Sequence, residues 1–211
     1  MRALADCRLY GILDTGYIAP RQAISVVQAM LDGGIDILQL RSKAASHDQM
    51  VSLGEKILPL TRAAGIPLII NDHPAVTGEI EAEGVHIGQD DGSLEEARLL
   101  AGDGAIVGRS THSVAQARAA VAEGADYIGF GPLFATPTKP DYTPIGTADI
   151  RVVHEEHPSV PIFCIGGIKP GNLAEVLAAG ARRVVIVSAI LQAPDVASMV
   201  AGLKKTLAGT P

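Results

Sequence analysis

A chain of 211 residues, 47% of them apolar, is long enough for one large domain and too apolar for a disordered segment. The formal charge of −6 and the aromatic content of 3% argue against nucleic-acid or anionic-membrane partners, because such partners favour a basic surplus or stacking aromatic side chains. Cys7 and Cys164 show neither disulfide nor zinc spacing, and neither a signal peptide nor a spanning apolar run is evident, so we expect a soluble, cytoplasmic protein.

Eight short apolar runs, spread along the whole chain, have the composition of buried strands. Several are apolar at every position, which is typical of parallel strands covered on both faces. In chain order the predicted strands are Leu9–Leu13, Ile35–Leu40, Pro67–Ile70, Gly84–Ile87, Ala105–Val107, Tyr127–Phe130, Pro161–Ile165 and Val184–Val187.

The segments between these runs have helical periodicity and capping residues. The first predicted helix, Arg21–Asp32, has one apolar face made of Ile24, Val27, Met30 and Leu31. Further helices are predicted to begin after Ser93, after Ser113 and at Pro194-Asp195. Glycines that suit left-handed helix ends precede four of the strands, at Gly33-Gly34, Gly84, Gly124 and Gly180.

Eight strand–helix units without a linker predict a single (β/α)₈ TIM barrel domain over residues 1–211. A doubly wound open sheet is the competing α/β architecture, but it rarely contains eight evenly spaced units. The glycine-rich phosphate loops GxGxxG and GxxxxGK[ST] follow none of the strands.

Polar residues follow nearly every predicted strand, and in a TIM barrel these positions meet at one mouth. They are Asp14; Gln39, Arg41 and Lys43; Asn71 and Asp72; Gln89, Asp90 and Asp91; Ser110 and His112; Thr136, Thr138 and Lys139; Gly166 and Gly167; and Ser188.

Basic residues at this mouth predict an anion site. Arg41 offers a guanidinium fork, Lys43 and Lys139 offer ammonium groups, and Ser110 offers a hydroxyl. This combination suits a pyrophosphate better than a single carboxylate.

Two carboxylates, Asp72 and Asp91, come from neighbouring strands beside this anion site. They would repel the anion unless a divalent cation lay between them, and Mg²⁺ is commonly held by one or two carboxylates together with substrate phosphates. The set therefore predicts a diphosphate–Mg²⁺ site. Each Asp on its own would also suit a helix cap or a turn.

A second phosphate site is indicated after the last two strands. Gly166-Gly167 allows a ligand to approach the backbone, and Ser188–Leu191 can form the short extra helix that accepts phosphate in many barrels. Two phosphate sites in one mouth favour a transferase.

Seven segments carry these residues: QLRSK (Gln39–Lys43), IIND (Ile69–Asp72), GVHIGQDD (Gly84–Asp91), STHS (Ser110–Ser113), GFGPLFATPTK (Gly129–Lys139), IGGI (Ile165–Ile168) and IVSAI (Ile186–Ile190). In order and at compatible spacing over nearly the whole chain, they resemble the thiamine-phosphate synthase family. In that family a pyrimidinylmethyl diphosphate loses pyrophosphate, and the ring nitrogen of a thiazole phosphate takes its place through a pyrimidine-stabilised carbocation.

The resemblance implies a Mg²⁺-dependent transferase that acts on two small molecules. Arg41, Lys43, Ser110 and Lys139 would be catalytic, and with Gln39 and Asn71 they would hold the pyrimidine diphosphate. The resemblance also implies that Asp72 and Asp91 hold Mg²⁺. The thiazole phosphate would contact Thr136, Thr138, Gly167, Val187 and Ser188, and Leu40, Ser42 and Pro137 belong to the same substrate-binding motifs. Ser42 departs from the family, which more often has an acidic residue there, and so does His73-Pro74, where an Arg-containing run is commoner.

Other interpretations stay open. Arg41, Lys43 and Lys139 could be solvated loop charges, His86 reads as a hydrogen-bonded core histidine, and His112 could be catalytic. A thiazole tautomerase or a protein that only senses thiamine phosphates would share many of these residues. The loop at Phe134–Gly146 is expected to act as a lid over both half-sites.

Overall fold

Eight short strands pair in chain order into a closed parallel barrel in the computed structural model, which describes residues 1–136, 138 and 142–209. β1 pairs with β2 on one side and with β8 on the other, where Leu9 lies opposite Val184. This closure confirms the (β/α)₈ barrel and excludes the open sheet. The strands are β1 (Leu9–Asp14), β2 (Ile37–Arg41), β3 (Leu68–Asn71), β4 (Gly84–Ile87), β5 (Ile106–Thr111), β6 (Tyr127–Phe130), β7 (Ile162–Cys164) and β8 (Val184–Ile186).

Helices follow the strands and cover the outside of the barrel. They are α1 (Ala23–Asp32), α2 (His47–Ala63), α3 (Pro74–Glu79), α4 (Leu94–Ala101), α5 (Val114–Ala122), α6 (Ile150–Glu156), α7 (Pro170–Ala178), α8 (Ser188–Leu191) and α9 (Val196–Ala208), with 3₁₀ turns at Leu4–Asp6 and Pro20–Gln22. None of the helices in the described residues combines the length and the apolar character that a membrane span requires.

The predicted helix starts are confirmed by side-chain caps. Ser93, Ser113 and Asp195 each accept a hydrogen bond from the backbone N–H three residues further on, at 3.1, 3.2 and 2.9 Å. Each bond satisfies one of the N–H groups that the first helical turn leaves without a partner.

The predicted apolar face of α1 is partly wrong. Val27 and Met30 are fully buried, but Ile24 is 38% exposed and Ala23 is buried instead. Ala23, Val27 and Met30 follow the i, i+4, i+7 spacing of one helical stripe, whereas Ile24 lies one position, or about 100°, around the helix.

The glycine prediction is also wrong at one of four positions. Gly34, Gly124 and Gly180 have the expected positive φ angles of 86°, 89° and 110°. Gly84 instead opens β4, and the residue with a left-handed backbone after α3 is Glu81, at φ 54°. A side chain at position 84 would place its Cβ 2.4 Å from the carbonyl oxygen of Ile106, so close strand packing accounts for this glycine.

Two apolar layers are built from alternate residues of the strands. Leu38 and Leu40 of β2 belong to the larger layer between the barrel and the helices. The smaller layer fills the barrel interior, where the ring of Phe163 packs edge-on against Tyr10 and Tyr127 at centroid distances of 5.4 and 5.7 Å. Parallel strands that are covered on both faces require this pattern, and the interior layer forms a floor below the C-terminal mouth.

A buried carboxylate closes the opposite end of the barrel. Asp36, which directly precedes β2, is fully buried and accepts hydrogen bonds from the backbone N–H groups of Arg8 and Leu9 at 2.9 Å. It also pairs with Arg2 and with Lys204 of α9, the latter at 2.6 Å. Its charge is thus compensated by groups from both ends of the chain.

Candidate active site

A pocket opens at the C-terminal ends of the strands, and every strand or the segment after it contributes to its lining. The pocket brings together nine of the sixteen residues predicted to have a catalytic, substrate-binding or metal-binding role. These are Gln39, Arg41, Asn71, Ser110, Thr136, Thr138, Gly167, Val187 and Ser188. Leu40, Ser42, Lys43, Asp72 and Asp91 do not line it, while Pro137 and Lys139 lie outside the described residues.

Arg41 is a buried cation at the rim of this pocket. It is 7% exposed, and its Nη1 donates a hydrogen bond to Asp14, which also accepts one from the backbone N–H of Gly16 at 2.9 Å. Its Nη2 is buried and has no hydrogen-bond partner among the described residues. One edge of the guanidinium is therefore held in place, and the other lacks an acceptor among the described residues.

The residues beside Arg41 do not line the pocket. Leu40 is fully buried in the layer between strands and helices, so only its main chain is available to a ligand. Ser42 accepts a hydrogen bond from the Thr15 hydroxyl at 2.6 Å. Lys43 is exposed on the turn after β2.

The end of β3 has an unusual backbone. Asp72 has a φ of 60°, and its N–H donates to the carbonyl oxygen of His86 at 2.9 Å. The side-chain amide of Asn71 donates to a carboxylate oxygen of Asp72 at 2.6 Å. Asp tolerates the left-handed region better than most residues, and strained positions of this kind cluster at functional sites.

Asp91 has the turn role that its residue type also favours. It is exposed after β4, and one of its carboxylate oxygens accepts a hydrogen bond from the N–H of Gly88 at 2.7 Å. In the part of the chain that the structure describes, no three His, Cys, Asp or Glu side chains group into a metal site. Asp72 and Asp91 supply two carboxylates, and such hard oxygen ligands fit Mg²⁺ in chemistry.

The other side of the mouth is formed by the segments after β6, β7 and β8. The hydroxyl of Thr138 forms a hydrogen bond with the hydroxyl of Tyr17 at 2.8 Å. The backbone N–H of Thr138 donates to the hydroxyl of Thr136 at 3.3 Å. Gly167 has a φ of 65°, and a Cβ there would lie 2.7 Å from the carbonyl oxygen of Ala135. The glycine is required because these two segments pack backbone to backbone.

The predicted short helix after β8 is present as α8, which begins at Ser188. Ser188 and Val187 both line the pocket beside Gly167. Phe134 donates its N–H to the carbonyl oxygen of Gly166 at 3.1 Å, so the start of the β6 loop lies against this end of the mouth.

A chain of hydrogen bonds in the barrel interior was missed from the sequence. Gln39 Nε2 donates to Tyr10 Oη at 2.8 Å, and Tyr10 Oη lies 3.0 Å from Tyr127 Oη. Tyr127 Oη lies 3.0 Å from His86 Nδ1, and His86 Nε2 lies 2.9 Å from Ser110 Oγ. Burial raises the pKa of both tyrosine hydroxyls, so both are protonated at neutral pH. The sequence signal that could have revealed this hydrogen-bond chain is a polar side-chain atom at alternate positions of otherwise apolar strands.

Both histidines near the mouth line the pocket. His86 is hydrogen-bonded at both nitrogens, as expected of a core histidine, but it also lines the pocket. His112 lines the pocket too, and its Nδ1 must be a donor because it bonds to the carbonyl oxygen of Gly131. The ring of His112 packs against the ring of Tyr142, and their centroids are 4.9 Å apart.

Cys164 of β7 is a core residue. It is fully buried, and burial raises the pKa of its thiol to about 12. The thiolate needed for nucleophilic chemistry is therefore scarce at neutral pH.

Comparison with known proteins gives a consistent result. Residues 9–190 match a protein-family model described as thiamine monophosphate synthase. The thiamine-phosphate synthase of Chloroflexus aurantiacus is 42% identical over 208 residues, which are 98% of this chain and 95% of that protein. The thiamine-phosphate synthase of Thermus thermophilus is 45% identical over 180 residues, 85% of this chain and 86% of that protein.

A solved structure is similar over almost its whole length. The thiamine phosphate pyrophosphorylase from Pyrococcus furiosus superposes with a TM-score of 0.87 at 31% sequence identity. The match covers 96% of this chain and 96% of that one.

Proposed function

The chain belongs to the thiamine monophosphate synthase family, and we propose that it joins 4-amino-2-methyl-5-pyrimidinylmethyl diphosphate to a thiazole phosphate with Mg²⁺, releasing thiamine phosphate and pyrophosphate. The observation that carries this proposal is the unpartnered Nη2 of Arg41 among the described residues. A buried guanidinium edge is costly without an acceptor, and a diphosphate supplies acceptors of the matching geometry.

The diphosphate half-site lies on the β2, β3 and β5 side of the mouth. Arg41 binds a phosphate oxygen through Nη2, while its salt bridge to Asp14 fixes the direction of the guanidinium. Ser110 and Asn71 line the same pocket and bond to the diphosphate or the pyrimidine, and Gln39 lies deeper, where the ring would sit. Lys43, on the turn after β2, and Lys139, which lies outside the described residues, would add positive charge.

Asp72 and Asp91 would hold Mg²⁺ at the ends of β3 and β4, with the diphosphate and water completing its shell. Bound there, the ion would neutralise part of the charge that develops on the departing pyrophosphate.

The reaction needs no base to remove a proton. The bond between the methylene carbon and the diphosphate oxygen breaks with its electron pair going to pyrophosphate. The lone pair of the thiazole nitrogen then forms the new C–N bond. The enzyme's work is therefore to stabilise the leaving group and to orient the nucleophile. The rings of Phe163 and Tyr10 and the side chain of Ile12 line the pocket and keep water from the cationic carbon.

The thiazole phosphate half-site lies on the β6, β7 and β8 side. Thr136 and Thr138 supply hydroxyls, and Gly167 and Ser188 supply backbone N–H groups beside Val187. Pro137 would add a substrate contact here. Leu40, through its main chain, and Ser42 would instead contact the substrate at the β2 end of the diphosphate half-site.

Turnover by the purified protein tests the proposal directly. With both substrates and MgCl₂ the protein should form thiamine phosphate and pyrophosphate, and EDTA should abolish the reaction. Isomerisation of the thiazole alone would instead support a tautomerase. Binding of thiamine phosphate without turnover would support a sensor.

Two substitutions test the diphosphate site. Asp91→Ala and Lys139→Ala should each lower kcat/KM by a factor of at least about 100. Lys139→Ala removes a positive charge that would stabilise the leaving pyrophosphate, and Asp91→Ala removes a carboxylate that would hold Mg²⁺. Asp90→Ala is the matched control for Asp91, because Asp90 is its neighbour in the same turn. Full turnover in either test variant, with Mg²⁺ dependence retained, would refute the assignment.

A further inference from the structure

The interior hydrogen-bond chain joins two predicted ligand-binding residues across the barrel. It runs from Gln39 through Tyr10, Tyr127 and His86 to Ser110, over distances of 2.8, 3.0, 3.0 and 2.9 Å. Tyr10 is 1% exposed and Tyr127 is fully buried. Water therefore does not reach their hydroxyls, and each proton must find its acceptor within the chain.

The direction in which each hydrogen bond of this interior chain is donated follows from the number of donors and acceptors. Tyr10 Oη accepts a hydrogen bond from Gln39 Nε2, and its only other partner among the described residues is Tyr127 Oη. Tyr10 must therefore donate its proton to Tyr127. Tyr127, in turn, has His86 Nδ1 as the acceptor for its own proton.

The same direction fixes the tautomer of His86 and the hydrogen bond between His86 and Ser110. Because His86 Nδ1 accepts, the ring carries its proton on Nε2 and donates it to Ser110 Oγ. Ser110 Oγ has no other hydrogen-bond partner in residues 1–136, 138 and 142–209. Its own hydroxyl proton is thus left to point into the pocket that Ser110 lines.

We propose that Tyr127 and His86 are positioning residues that set Ser110 as a hydrogen-bond donor towards an acceptor atom of the pyrimidine diphosphate. The identity of that ligand rests on the proposed function. A serine hydroxyl can donate or accept, whereas diphosphate oxygens and unprotonated ring nitrogens only accept. A donor whose direction is set before the ligand arrives needs no reorganisation as negative charge develops on the leaving group.

The opposite direction is disfavoured by the same geometry. If Ser110 donated to His86 and His86 to Tyr127, Tyr10 would receive two hydrogen bonds and its own proton would have no acceptor. An unpaired donor in a water-free interior is costly. The hydrogen-bond chain therefore selects one tautomer of His86. The ring of His86 stacks on that of Tyr127, with centroids 5.4 Å apart, and this stacking holds the imidazole plane.

The first test is spectroscopic and needs no substrate. Long-range ¹H–¹⁵N spectra of protein labelled at histidine nitrogen should show His86 protonated at Nε2 only, with His86→Gln used to assign the signals. Tyr10→Phe should keep that tautomer, because Tyr127 still donates to His86. Tyr127→Phe should lose it or give a mixture. Protonation of His86 at Nδ1 in the unsubstituted protein would overturn the proposal.

The second test is a double-mutant cycle in steady-state kinetics. Tyr127→Phe should lower kcat at least about 10-fold in the otherwise native protein, but less than about 2-fold when Ser110→Ala is already present, because its effect acts through that hydroxyl. Equal losses in both backgrounds would show a purely structural role and would refute the proposal. If the native protein makes no thiamine phosphate, the proposed function fails, while the tautomer measurement still decides whether the chain has this direction.

Discussion

His154 gives a prediction about stability whose size follows from its surroundings. It lies near the end of α6, is 4% exposed, and its Nε2 is buried without a hydrogen-bond partner among the described residues. Burial lowers its pKa from 6.5 to about 4, and the positive charges of Arg182 and Arg183 act in the same direction. The folded protein therefore keeps this imidazole neutral under conditions in which an exposed histidine would be charged.

The direction of the effect follows from proton uptake. In the unfolded chain His154 has its ordinary pKa of 6.5, so as the pH falls the unfolded state takes up the proton first. The stability that the neutral imidazole preserves is fully present above pH 6.5 and is lost as the pH falls towards 4. At about 1.4 kcal/mol per pH unit, a gap from 6.5 to about 4 corresponds to about 3 kcal/mol.

The test compares free energies of unfolding at pH 7.5 and pH 4 by urea denaturation. Between these two pH values the free energy of unfolding of His154→Leu should fall by about 3 kcal/mol less than that of the native protein, because leucine takes up no proton. His47→Gln, which replaces an exposed histidine, is the surface control. An NMR titration of the folded protein should also place the pKa of His154 near 4. Equal losses in His154→Leu and the native protein would refute the reasoning.

Two further predictions concern the mouth of the barrel. Asp14→Asn should lower the free energy of unfolding by about 3–5 kcal/mol in urea denaturation, because it leaves the buried charge of Arg41 without its partner; a loss below about 1 kcal/mol would contradict a buried pair. Gly167→Ala should raise KM for the thiazole phosphate more than KM for the pyrimidine diphosphate in steady-state kinetics, since its Cβ would lie 2.7 Å from Ala135 O and Phe134 Cβ and displace that half-site. Equal increases in the two KM values would argue against separate half-sites.

The architecture could be predicted because its signals are local. A fully apolar run such as Tyr127–Phe130 predicts a strand wherever it occurs, and a serine three residues before a helical N–H predicts a cap. Strand ends differ from the predicted ones by a few residues, most in β5, which continues to Thr111. Ser110 therefore projects from the strand itself and not from a loop after it.

The failures have a common cause in tertiary packing. Ile24 and Ala23 are both apolar, and only the direction of the barrel wall decides which of them is buried. Similarly, Tyr10 and Tyr127 are 117 residues apart in sequence, and their contact depends on how β1 and β6 are placed around the barrel. Patterns within a single strand do not contain that information.

The candidate site was predictable as a set of residues but not as a set of interactions. The rule that barrel strands end at the active face was enough to select Arg41 and Ser110. It did not show that Asp14 holds one edge of the guanidinium and leaves the other unpaired among the described residues. It also did not show that Leu40 faces the helices, since side-chain direction depends on the position along the strand.

The partners of β1 and of Asp36 include residues that are synthesised long after them, so the barrel is completed only when those residues have been made. β1 is made before its second neighbour, β8, and before the ammonium group of Lys204. Until then β1 has an unpaired edge and Asp36 lacks one of its two cationic partners. The sheet therefore cannot close until β8 has been made, as contacts distant in sequence generally delay folding. A premature stop before α9 would leave Asp36 without Lys204 and this end of the barrel without α9, a state on which quality-control proteases and aggregation both act.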